Sequence, residues 1–179
     1  MPFSERFTED EQMLLSSLAT LVGSAMTFAG GSGLGTVKEM IASSKALISG
    51  SKQYASNEII AGILPPMTSM GETMDQAKVL RERMQNHIAQ HQPKNVDELK
   101  ELAIEDAKKV NALLAEKASP EESSQYKSWV LSIAEEVSKA AKEGGFLGFG
   151  GERVSENERE LFTQIAAALA PVSGNNTIS

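Results

Sequence analysis

The chain has 179 residues, 41% of them hydrophobic, with 17 basic and 24 acidic side chains and a net charge of -7. This length and apolar share fit one folded domain with a real core, and an acidic chain without a long basic run is excluded as a general binder of nucleic-acid phosphates. The absence of cysteine removes thiol catalysis, disulfide scaffolds and thiolate metal sites together.

The start, Met1-Pro2-Phe3-Ser4-Glu5-Arg6, lacks the basic and apolar regions of a secretory signal and points to a cytoplasmic protein. The first helix is predicted over 9–29, opened by Thr8…Glu11. In such a capping box the hydroxyl accepts from a free backbone N–H and the glutamate reaches back to the cap. From Gln12 to Val37 no residue is charged. A helix uncharged on every side is either the central helix of a globular core or a membrane span. No Trp or Tyr belt and no cationic cluster flanks the segment, so the buried central helix is the expectation. Insertion of the uncharged segment 12–35 into a membrane is the alternative.

Further helices are predicted over 37–49 (after Thr36…Glu39), 56–64, 70–91, 96–117 (after Asn95…Glu98), 120–143 (Ser119 cap, Pro120 first) and 156–170 (after Ser155…Glu158). Gly30-Gly31, Pro65-Pro66, Pro93, Gly144-Gly145 and Pro171 supply the stops. The apolar positions recur at helical spacing, as in Leu99, Leu102, Ala103, Val110, Leu113 and Leu114, and no alternating strand pattern occurs. The fold class is all-α, about seven helices in one bundle-like domain over 1–171, with a disordered tail over 172–179.

Leu14–Gly35 aligns without gaps on Trp129–Gly150, with Ser17/Ser132, Ala19/Ala134, Val22/Val137, Ala25/Ala140 and three glycine pairs identical. Each copy is followed by a capping box. This predicts a duplicated helix–turn–helix unit, with helices 9–29 and 120–143 packed together near a pseudo-two-fold axis.

The Gly-rich turn before Thr36 lacks the lysine of a phosphate loop and follows a helix, so its glycines read as turn formers. In the second turn Phe146, Leu147 and Phe149 are candidates for a partner-binding surface, the alternative being that they close the end of the core. His87 and His91 stand i,i+4 and are the weak candidates for a metal, yet no HExxH pattern provides further ligands. Met67, Met70, Met74 and Met84 read as adaptable core filling or a binding stripe. Glu121-Glu122 and Glu135-Glu136 read as cap and solvent-face charges. No nucleophile elbow or di-iron spacing occurs, so neither a catalytic residue nor a cofactor is expected.

The seven-helix acidic layout, with Gly150-Gly151-Glu152-Arg153-Val154-Ser155-Glu156-Asn157-Glu158, resembles the tellurite-resistance TerB-like group of all-helical bacterial proteins. The resemblance covers the last quarter of the chain. Phe149 stands where an Asp is usual, so no metal site is carried over. The expectation is a non-enzymatic cytoplasmic interaction or stress-associated module acting on a protein partner or a second copy. A membrane-active protein and a small metal-binding protein using His87 and His91 are the alternatives.

Overall fold

The predicted caps Thr8, Asn95, Ser119 and Ser155 stand at the starts of observed helices, while the side chains of Thr36 and Glu39 lie outside the described residues. In a computed structural model, which describes residues 2–30, 36–65, 69–142 and 155–171, eight helices follow one another. They are α1 (Phe3–Arg6), α2 (Glu9–Ala29), α3 (Thr36–Gln53), α4 (Glu58–Ile63), α5 (Met70–His91), α6 (Val96–Lys117), α7 (Pro120–Lys142) and α8 (Glu156–Ala168). No strand occurs among the described residues, and the fold is an all-α bundle. Thr8 and Glu11 form the capping box of α2, and Ser155 and Glu158 that of α8. Asn95 accepts from the Glu98 N–H at 2.9 Å, and Ser119 from that of Glu122 at 3.2 Å. The helix α1 lies outside the seven expected; its Phe3 packs on Gly62 of α4.

Helix α2, uncharged from Gln12 onward, is the centre of the bundle, packed against each of the other seven helices. Leu15, Leu18, Leu21, Val22, Ala25 and Met26 are fully buried there. Each large aliphatic side chain so enclosed contributes about 1.5–3 kcal/mol relative to exposure. Among the described residues α2 alone is long and apolar enough to cross a membrane, and 67% of its apolar window is buried inside the fold. Its Ser16 and Thr27 hydroxyls donate to the Gln12 and Gly23 carbonyls, so these buried polar atoms keep a partner.

Burial repeats along the self-match. Leu15, Leu18, Ala19 and Val22 of α2 and Val130, Ile133, Ala134 and Val137 of α7 are all core residues. Helix α2 packs on α7, α3 on α7 and α8 on α2, the neighbours that such a correspondence requires. The Gly-rich turns, Phe146, Leu147 and Phe149, and the tail 172–179 lie outside the described residues. Of the stretch that resembles the TerB-like group, Ser155–Glu158 is described, and it caps α8.

Long-range polar contacts lock the helices in register. The Tyr126 hydroxyl donates to the Leu15 carbonyl at 2.7 Å, and Trp129 Nε1 to the Leu47 carbonyl at 3.2 Å. Burial, with the Asp106 charge second, pushes the Tyr126 hydroxyl far above its usual range, so it remains a donor. Asn111 of α6 donates to the Ala168 and Ala170 carbonyls at the end of α8. Lys117 holds Glu11 at 2.7 Å, which lowers the carboxyl below its ordinary value and ties the end of α6 to the start of α2.

Candidate functional site

Three helices present faces at helical spacing to one open groove. Thr20, Gly23, Ser24, Thr27 and Phe28 come from α2, Met40, Ser43, Ser44, Leu47 and Ile48 from α3, and Ala77, Leu80, Arg81, Met84 and Gln85 from α5. Each set follows the i, i+3, i+4, i+7, i+8 pattern of a single helix face. Leu64, just past α4, completes a groove of about 400 Å³, within the ordinary range for small-ligand sites, about 300–1,000 Å³.

The local sequence explains why the groove exists. A Cβ at Gly23 would overlap the Ser43 hydroxyl, so glycine there lets α3 lie close against α2. Helix α3 continues along α7, while α5 packs on α2 and reaches α6 through His87. A strip of α2 therefore remains uncovered between them. Leu47, Leu64 and Leu80 are buried, whereas Phe28 and Met40 stand 53% and 51% exposed.

Of the five described hydroxyls that line the groove, four are already engaged, and that of Ser43 is not. Thr20 donates to the Ser17 carbonyl at 3.0 Å, Thr27 to Gly23 at 2.9 Å, Ser44 to Met40 at 2.9 Å, and Ser24 to the Met84 sulfur at 3.3 Å. What these side chains offer an occupant is chiefly carbon. Among the described residues of the lining Arg81 is the single charged one, and none carries a carboxylate or an imidazole.

The histidines lie elsewhere. His87 is buried, with Nε2 2.5 Å from Asp106 Oδ2, and Lys109 Nζ lies 3.2 Å from Asp106 Oδ1. The His91 ring stacks obliquely on His87, centroids 4.4 Å apart, and its Nδ1 lies 2.9 Å from the His87 carbonyl oxygen. The i,i+4 spacing thus brings the rings together, but the first ring is spent on an acid of α6. Among the described residues no group of three or more His, Asp or Glu could hold a metal ion.

Of the acidic pairs, Glu122 accepts two hydrogen bonds from Arg6 of α1, at 2.8 and 3.0 Å, while Glu135 and Glu136 both reach Lys139 on an exposed face. Met84 is the one member of the methionine stripe whose side chain is described; it lines the groove. The groove itself escaped the sequence reading, because its three walls are far apart in the chain. The available signal was the mixture of Ser, Thr, Phe and Met on faces that would otherwise be uniformly aliphatic.

No family model matches the chain, and no curated protein or solved structure matches it either.

Proposed function

We propose that the protein is a non-enzymatic, cytoplasmic binding module that holds an apolar group in the groove between α2, α3 and α5. The observation that carries this reading is the groove itself: about 400 Å³, walled by three helix faces, with four of its hydroxyls bonded internally. An occupant meets the carbon of Leu47, Leu80, Met84 and Phe28, so burial of its apolar surface drives binding at about 25 cal/mol per Å². Binding rather than catalysis is favoured because the described lining residues offer neither a general base nor an activated nucleophile. Serving as a partner surface keeps the protein within the class of interaction modules.

The test is titration of the native full chain with an anilinonaphthalene dye, whose emission rises in apolar surroundings. Wild type is expected to bind it saturably, and Ala77→Phe, which fills the groove from α5, to bind it at least several-fold more weakly at unchanged thermal stability. Undiminished dye binding by the filled variant, or none by wild type, overturns the reading.

A further inference from the structure

We propose that the groove takes an amphiphile with a single anionic head, the alkyl chain lying along α2 and the head held by Arg81. This rests on the groove being a binding site and adds the chemical class of the ligand.

The charge pattern carries the argument. In a chain of net charge -7, the only charged side chain of the lining among the described residues is a cation. Arg81 makes no ion pair or hydrogen bond among the described residues. The nearest acid in sequence, Glu82, lies 3.9 Å from Lys78 on the next turn, and the neighbouring cation Arg83 donates to the Ser16 hydroxyl at 3.0 Å. Arg81 is thus a guanidinium left without a counter-charge at the edge of an apolar groove. Its planar fork suits a carboxylate or phosphate oxygen pair, and Gln85, one turn further along α5, offers an amide beside it.

The dimensions agree. From Thr20 to Phe28 the wall rises about 12 Å at 1.5 Å per residue, which accommodates a medium-length alkyl chain. A partner helix is about 10–12 Å across with its side chains, so two turns of it would occupy far more than the groove's volume and lie on the groove rather than in it. A cationic amphiphile would face Arg81 directly, and a neutral one would leave it unused.

The experiment is calorimetric titration of the full chain at neutral pH with decanoate, decanol and decyltrimethylammonium, each below its aggregation threshold, on wild type, Arg81→Gln and Arg81→Lys. Decanoate is expected to bind most tightly. Arg81→Gln is expected to weaken decanoate about fivefold, the scale of one screened charge-assisted contact, and to leave decanol unchanged, with Arg81→Lys in between. Equal binding of decanoate and decanol, or no effect of Arg81→Gln, overturns the anionic head while leaving the apolar groove standing. No binding of any of the three overturns both. Vesicles of anionic phospholipid, run in parallel, separate the two sources of such a head. Flotation with the vesicles that Arg81→Gln abolishes assigns it to a lipid surface, and decanoate binding without flotation assigns it to a free amphiphile.

Discussion

Gly50 of α3 lies directly against the Trp129 ring of α7, so that a Cβ at this position would overlap ring atoms Cδ1 and Nε1. The Trp129 ring is fully buried, and Nε1 donates to the Leu47 carbonyl one turn before the glycine. A glycine inside a helix ordinarily costs stability relative to alanine; here the close helix approach reverses that preference. Gly50→Ala is expected to destabilise the fold by about 1–3 kcal/mol through overpacking. Urea unfolding of wild type and variant measures it, and an unchanged or raised midpoint would refute the contact.

Asp106 is the acid on which His87 depends. It is fully buried, and its two oxygens are divided between His87 and Lys109. Asp106→Ala is expected to cost about 2–4 kcal/mol, because it strands a buried polar ring. Asp106→Asn, which keeps one acceptor oxygen and replaces the other with an amide NH2, is expected to recover part of the loss. Equal stability of the two variants by denaturant titration would show that the ring finds another partner.

The contact between Arg6 and Glu122 makes stability depend on acid. The Arg6 guanidinium, ahead of the cap contacts from Ser119, holds the Glu122 carboxyl down at about 2 from an ordinary 4.5. A carboxyl lowered on folding stabilises the folded state fully above its unfolded value; that contribution fades as pH falls from 4.5 toward 2. With one flank open to solvent, the pair is worth on the order of 1 kcal/mol. Arg6→Gln is expected to lose that amount at neutral pH and to flatten the decline in unfolding free energy between neutral and acid pH. A wild-type acid limb in the variant would count against it.

Asn57 joins α4 to α7. Its Oδ1 accepts from the Ile59 and Ile60 N–H groups, while Nδ2 donates to the Glu122 carbonyl and to Gln125 Oε1, both at 3.0 Å. Asn57→Ala removes a cap and leaves buried backbone groups without partners, with an expected cost of about 2–3 kcal/mol. Asn57→Asp, which retains the cap but not the donors, should fall between. Thermal unfolding of the three proteins gives the order.

The enclosure of α2 bears on the membrane alternative. Removing this helix from the bundle would expose the matching faces of every neighbour, so the native protein at neutral pH is expected to stay with the soluble fraction in flotation with neutral lipid vesicles. Flotation of folded wild type would show that the helix leaves the core.

The local signals were legible where they were chemical. Thr8…Glu11 and Asn95…Glu98 placed the starts of α2 and α6, and the proline at 93 and the apolar period placed their neighbours' ends. Helix α1 escaped because four residues carry no period. Helix α3 runs four residues beyond its expected end, with Gly50 inside the helix and facing Trp129. The central position of α2 could be read because a helix lacking charge on all sides has nowhere else to go in water. The groove could not be read, since residues 20–28, 40–48 and 77–85 lie far apart in the chain until the bundle leaves them facing one another. The His87 contact with Asp106 stayed hidden for the same reason: helical spacing suggested His91 as a partner, and nothing local announces an acid on another helix.

Because every helix leans on α2, the bundle has no half that could survive without it. Its backbone amides should exchange with deuterated solvent only when the whole chain opens, whereas those of α5, anchored mainly along one side, should exchange sooner through local opening. Whatever enters beside Arg81 would then slow exchange selectively in α5 and leave the innermost amides to report on global stability.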